Sequence, residues 1–309
     1  MRLGSCPLDA TVGNVAAVSF PSELSPAYKG KRAMVVGGTR GIGSAIACTL
    51  REAGAHVTVV GRSAQPTQAA FAADLATVAG CRKLVAAVAS AGVPPFDYLI
   101  FTVGAWPDFA EPYTSEGVEK VVALDLLARH FVLDGLAAAG LLTSGARVLN
   151  VLASTQQVPF QTEESIRTRV AAVQPPSSMF AALLPVGVAA DAWLQDASAR
   201  HPSLSFVGMF PGVFPTELPS STFPAWALPV LTAAMLPVAS SAAEIGLAHA
   251  TVLASPNAGC RRVTYFNHLL EGRTAHPLAY QTKLGRWITS HLEEVAARVE
   301  SHQPSGKGK

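Results

Sequence analysis

The stretch Val35-Val36-Gly37-Gly38-Thr39-Arg40-Gly41-Ile42-Gly43 constrains the fold of this chain more than any other. An apolar run, Ala33-Met34-Val35-Val36, leads into it, and a small-residue helical pattern from Ser44 to Leu50 leads out. Strand, glycine turn and helix in that order are the setting in which a dinucleotide pyrophosphate is cradled. Glycines let the backbone turn tightly and approach the phosphates. The first turn of the helix then offers unpaired N–H groups to the anion.

The rest of the chain repeats the same alternation. Strands are expected at 56–60, 96–102, 146–152, 204–210 and 262–266, from their β-branched and aromatic content, with a short strand and turn at 71–75. Helices are expected from the glycine turn to Ala53 and over 77–91, 117–136, 179–199, 243–253 and 283–300, the first ended by Gly54. The stretch 156–176 reads as polar and irregular. Strands alternating with helices predict an α/β fold, a doubly wound parallel sheet of Rossmann-like type, as a single domain with a C-terminal cap. The expected divisions are an N-terminal arm over 1–29, a nucleotide-binding domain over 30–270 and a C-terminal helix and tail over 271–309.

Composition excludes several function classes. Half of the 309 residues are hydrophobic, so a large core is available and global disorder is not expected. With 23 basic and 21 acidic residues, bulk charge gives no support to nucleic-acid binding. Cys6, Cys48, Cys81 and Cys260 have no metal-type spacing and read as free, buried thiols of a reducing compartment. No signal peptide is evident, and the apolar run 223–239 is broken by Pro224, Pro229 and Pro237. Proline in lipid leaves backbone groups unsatisfied, so no transmembrane span is expected and a cytoplasmic location is the reading.

Three features refine the glycine turn. Gly37, Gly41 and Gly43 fit the spacing T-G-x-x-x-G-x-G, with Val36 in place of the threonine and with Thr39, Arg40 and Ile42 filling the turn. Gly61-Arg62 ends the second strand, where a carboxylate would bind ribose hydroxyls in an NAD site. Glycine there leaves room for a 2′-phosphate, which Arg62 and Arg40 suit by forked, charge-assisted hydrogen bonds. Asp74-Leu75 stands where an acidic and apolar pair meets an adenine edge.

Over roughly 30–266 the chain resembles the short-chain dehydrogenase/reductase family. The resemblance implies NADP (NADPH) as cofactor, adenine contact by Asp74 and Leu75, and a nicotinamide end held by Pro211-Gly212 and Thr216. Of the family's N-N-A-G stretch, here Phe101 to Gly104, only Gly104 is kept. A divergent branch of the family shares the N-terminal arm and the G-G-T-x-G-I-G turn. It also shares Gly61-Arg62-Ser63 and the stretch from Arg200-His201-Pro202 through Ser205-Phe206-Val207 to Pro211-Gly212.

The family's catalytic set is Ser, Tyr-x-x-x-Lys and Asn. Counting back from Pro211-Gly212 places Phe180 at the tyrosine and Leu184 at the lysine. No tyrosine lies between Tyr113 and Tyr265, and no lysine between Lys120 and Lys283, so a shifted alignment does not restore the pair. Ser154 falls at the serine position, either orienting substrate or ending a strand. Asp125 falls at the asparagine position, either acting as an acid or pairing with Arg129 one helical turn on. Asp108, Glu111, Glu163, Glu164, Arg167 and Arg169 read as solvated loop charges. His130 and His201 have no evident partner, and no metal-ligand cluster emerges.

The reading is an atypical NADP-dependent oxidoreductase transferring hydride to a small or apolar organic substrate. A non-catalytic NADP-binding protein and a repurposed isomerase or cyclase are the alternatives. The stretch 214–241, with Trp226, stands where the family places its substrate lid. An apolar ligand, a subunit contact in a homo-oligomer and a membrane-surface patch all suit it.

Overall fold

Arg32–Val36 (β1) is buried on both sides: Met34 and Val36 join one apolar cluster, Ala33 and Val35 another. A strand buried on both faces belongs inside a parallel sheet covered by helices, and the chain builds one. The computed structural model describes residues 13–64, 69–151, 161–172, 174–212, 227–230, 240–260 and 262–302. Among them, β1 is joined by His56–Gly61 (β2), Ala70–Ala72 (β3), Phe96–Phe101 (β4), Leu142–Val151 (β5), Ser205–Phe210 (β6), Val263–Asn267 (β7) and Gly272–Arg273 (β8). The order is β3-β2-β1-β4-β5-β6-β7-β8, parallel throughout except for the antiparallel β7–β8 pair. The strand order turns back between β1 and β4, which opens a crevice at their C-terminal ends.

Helices Gly41–Glu52 (α1), Val78–Ser90 (α2), Ala128–Ala138 (α3), Glu163–Ala171 (α4), Met179–Arg200 (α5), Ala242–Ala254 (α6) and Thr282–His302 (α7) surround the sheet. Apolar residues of α1 and α6 share one cluster, with Ile46, Leu50, Ala250 and Leu253 buried in it. Those of α2, α3 and α5 share the other, where Trp193 is fully buried, and α7 adds Leu284, Ile288 and Leu292. The arm is tied to the same body. Val15 N–H donates to the Leu270 carbonyl at 2.9 Å, and the buried Tyr28 hydroxyl donates to the Ala250 carbonyl at 2.6 Å. Among the described residues no helix is long and apolar enough to cross a membrane.

Several expectations need correction. The stretch 156–176 is not irregular throughout, because α4 lies within it. Thr162 and Ser165 cap that helix reciprocally, Glu163 pairs with Arg167 at 2.6 Å, and Ile166 and Val170 are buried. The short third strand and turn expected over 71–75 are present, as β3 and a turn in which the Asp74 carboxylate accepts from Ala76 N–H at 3.2 Å. Cys81 is buried, but Cys48 and Cys260 are exposed.

Both histidines have partners. His130 is buried: Trp193 Nε1–H donates to its Nδ1 at 3.5 Å, and its Nε2 lies 2.7 Å from Glu293 Oε1. His201 Nε2 lies 2.8 Å from Asp134 Oδ1, and Arg200 pairs with the other Asp134 oxygen. These contacts join α3 to α5 and α7 across more than 60 residues of chain, a separation at which sequence spacing carries no signal.

Burial alone would raise the Asp134 carboxyl, but hydrogen bonds from His201 and Arg200 outweigh it and hold it at about 2. A carboxylate depressed in the folded state contributes stability above its unfolded pKa of about 4, and loses it as pH falls through the folded value. Asp134→Asn is therefore expected to lower stability near neutral pH by about 1–2 kcal/mol. In urea unfolding the difference from the unsubstituted protein should close as pH falls from about 4 towards 2. A deficit that stayed constant with pH would count against this origin.

Candidate functional site

A cleft of about 190 Å³ opens at the C-terminal ends of β1, β2 and β4. Its lining includes Gly37, Thr39, Arg40, Gly61, Arg62, Asp74, Leu75 and Gly104, which the sequence had singled out, and also Ser63, Thr102, Val103 and Leu124. Gly41, Ile42 and Gly43 form the first turn of α1 beside the cleft rather than its lining. Ser154 and Thr216 lie outside the described residues, as does most of 214–241, including Trp226.

The turn is built by close backbone approach. Gly37 and Gly38 N–H both donate to the Val60 carbonyl, at 2.8 and 3.1 Å. Gly37 has φ +92, and a Cβ on it would lie 2.7 Å from both Thr102 Oγ1 and Val103 N. A Cβ on Gly43 would collide with the Gly37 carbonyl oxygen. On Gly61 it would lie 2.6 Å from Thr39 Oγ1, so even a small side chain there would narrow the cleft. Thr102 was not among the residues singled out. Its hydroxyl donates to the Val36 carbonyl at 3.1 Å and locks the β1 and β4 exits together.

The polar groups of the cleft suit an anion. Arg40 is the extended N-cap of α1 and makes no side-chain cap, so among the described residues the first-turn N–H groups are left without a side-chain acceptor. Arg40 and Arg62 are exposed, and neither has an ion-pair partner among the described residues. Asp74 is exposed at the rim while Leu75 is buried beneath it. A backbone cradle that a Cβ would fill, two free guanidinium groups and an uncapped helix start fit a phosphorylated ligand.

Behind Gly104 lies a buried polar network. The chain enters α3 through an α-helical turn, Lys120–Val122, and a π-helical segment, Ala123–Leu127, which carries Asp125. Asp125 Oδ1 would be 2.6 Å from a Cβ on Gly104. The expected Asp125–Arg129 pairing is present at 3.4 Å. Burial pushes the Asp125 carboxyl up to about 7 even though the Arg129 charge opposes it. Arg129 also donates to Val103 O at 2.6 Å, to Val151 O at 2.9 Å and to Asn150 Oδ1. Its burial had a sequence signal, since it stands three residues from both Leu126 and Val132, on the apolar helix face.

The loop charges divide. Asp108 pairs with Lys120 at 2.9 Å, and Glu111 stays exposed. Arg169, expected in solvent, is buried: its Nη2 lies 2.6 Å from Glu119 Oε2, and its Nε donates to the Ala182 carbonyl at 3.2 Å. Glu119 also accepts from Val121 and Val122 N–H. Phe180 is 64% exposed in the first turn of α5, and Leu184 is half-buried one turn on. His130, Asp134 and Glu293 approach one another closely enough for a metal ion, but both ring nitrogens of His130 are already engaged.

Comparison with known proteins agrees with this fold. A family model described as short chain dehydrogenase matches residues 31–165. An uncharacterized oxidoreductase of Saccharomyces cerevisiae is 32% identical over 111 residues, 33% of this chain and 35% of that one. A rhamnolipids biosynthesis 3-oxoacyl-[acyl-carrier-protein] reductase of Pseudomonas aeruginosa is 36% identical over 110 residues, 31% of this chain and 43% of that one. The match thus spans less than half the length of either relative. Among solved structures, the RhlG/NADP active-site complex of Pseudomonas aeruginosa is similar in fold, with a TM-score of 0.55 and 22% identity. It covers 77% of this chain and 94% of that one.

The tightness of the turn is testable without a ligand. Gly43→Ala is expected to lower stability by about 1–3 kcal/mol, because the added methyl meets backbone that cannot withdraw. Ser44→Ala, on the exposed side of the same helix, should stay within about 0.5 kcal/mol. Chemical unfolding of the two variants checks the contrast, and equal stability would refute the close approach.

Proposed function

Because residues 31–165 match the short chain dehydrogenase family model, we propose that the chain is an NADP(H)-dependent oxidoreductase of that family with an atypical proton-delivery site. One observation carries the cofactor choice: β2 ends in Gly61-Arg62-Ser63, with no carboxylate, and Arg62 and Arg40 line the cleft unpaired among the described residues. The Pseudomonas aeruginosa protein of similar fold was solved as an NADP complex, which supports the same choice. In this reading the α1 start holds the pyrophosphate, Arg40 and Arg62 hold the 2′-phosphate, and Asp74 and Leu75 meet the adenine. Gly61 and Gly104 keep the walls clear, and Thr216 and Pro211-Gly212 border the nicotinamide end. When bound, NADPH would supply hydride.

The proton is the atypical part. Phe180 has none to give, and Leu184 has no charge to tune a neighbour. A missing general acid costs about 10²–10⁴-fold in rate. Carbons whose reduction needs no protonation at oxygen, such as an iminium carbon in a small or apolar organic molecule, suit this site better than ketones. Ser154 would orient such a substrate. Phe180 and Leu184 also favour a second reading, in which the chain binds NADP without transferring hydride, as a sensor, a partner subunit or a repurposed isomerase or cyclase.

Titration with NADPH and NADH, followed by NADPH oxidation across ketones, imines and enones, separates the readings. NADPH should bind more tightly than NADH. Arg62→Ala should weaken NADPH by about 10–100-fold, the loss of one charge-assisted phosphate contact, and leave NADH nearly unchanged. Absence of binding to either dinucleotide would overturn the proposal, and tight binding with no substrate consumption would favour the second reading. Phe180→Tyr combined with Leu184→Lys should raise carbonyl reduction, measured as ketone-dependent loss of NADPH absorbance. No gain would mean that the proton site lies elsewhere.

A further inference from the structure

We propose that Asp125 and Arg129 are positioning residues for the cleft, a buried pair that ties the wall at residues 103–105 to the exits of β4 and β5. The inference rests on the cofactor reading above and adds to it two residues that touch no ligand.

The tie is visible bond by bond. Arg129 is 1% exposed, and one guanidinium reaches the carbonyls of Val103, just past β4, and Val151, the last residue of β5. The same group donates to Asn150 Oδ1, on β5, and to Asp125 Oδ1. Asp125 stands directly behind Gly104, and the Ala105 amide hydrogen-bonds to it. Leu124, its neighbour in the chain, lines the cleft. The π-helical segment that carries Asp125 is a local departure from the α-helix on either side of it, a feature that clusters at functional sites.

Burying two opposite charges is costly, and an apolar pair of similar volume would seal the same space at lower cost. An apolar pair lacks directional bonds to two strand-exit carbonyls at once. Parallel strands are free at their exits, where the ladder stops, and the cleft is built at those exits. Holding Val103 and Val151 on one rigid planar fork fixes the spacing between the wall at Gly104 and the end of β5. A cofactor that meets Gly104 then finds that wall already in place, and binding does not have to order it.

The charged groups facing the pair are few among the described residues: Asp191 from α5 acts on Arg129, and Glu119 acts on Asp125. Asp125 is held near 7 by burial, so lowering the pH protonates it and removes the charge that orients Arg129.

The full-length protein decides the question in two arms. Without cofactor, amide exchange is followed over residues 103–106 in the unsubstituted protein, in Asp125→Asn and in the doubly apolar Asp125→Leu/Arg129→Met. The double variant removes both charges of the pair together, so neither member strands the other, and its cooperative unfolding is checked first. Exchange in this segment should rise at least about tenfold in the double variant, and NADPH should bind about tenfold more weakly. In the unsubstituted protein NADPH affinity should fall as pH drops through about 7, and Asp125→Asn should flatten that step. A cooperatively folded double variant with unchanged exchange and unchanged affinity would overturn the proposal. Faster exchange with unchanged affinity would reduce the pair to a structural tie, which also overturns it. If the unsubstituted protein binds no dinucleotide, the cofactor reading fails, and this inference fails with it. Binding by the unsubstituted protein with no loss in the variants rejects this inference alone.

Discussion

No Cβ fits between the Gly43 backbone and the Gly37 carbonyl, and the cleft depends on that contact. It brings the first turn of α1 against the exit of β1. Thr102 closes the other side by bonding the Val36 carbonyl. Three backbone segments therefore meet with almost no side chain between them. The uncapped N–H groups of α1 are left at the mouth, where an anion can reach them. The wider fold serves this contact, because two apolar layers grip β1 from both sides and fix where it ends.

Charge is distributed around the cleft in two ways. At the rim, Arg40 and Arg62 are exposed and unpaired among the described residues, so their charge is available to a ligand. Below the wall, Asp125 with Arg129 and Glu119 with Arg169 are buried and paired. Buried pairs contribute little net stability, but each makes directional bonds that apolar side chains cannot. Glu119 caps the helical turn leading to Asp125, and Arg169 anchors that cap to α5 through the Ala182 carbonyl. The rim carries exposed charge, while the buried pairs hold the backbone that shapes the wall.

The strand and helix order was legible in the sequence because two-sided burial leaves a strong local mark: short β-branched runs between helical patterns. The glycine turn was legible because few chain segments tolerate so little side chain. The helix within 156–176 was missed because its polar face dominates the segment and its cap rests on Thr162 and Ser165 rather than on an apolar period. The partners of His130, His201 and Arg169 were missed for another reason. Each is supplied by an element distant in sequence, from α7, α3 and the segment before Lys120.

By itself the sequence determined the parallel α/β sheet, the glycine-rich turn, the two arginines, and the absence of tyrosine and lysine around Phe180 and Leu184. Each of these is a matter of residue type at short spacing. Only the tertiary structure decided that Arg129 spans two strand exits, that Asp125 backs Gly104, and that Gly41, Ile42 and Gly43 stand beside the cleft rather than in its lining. Those facts depend on which elements pack together. A guanidinium on a helix carries the same charge in solvent or under a sheet, and only its neighbours make it a bridge.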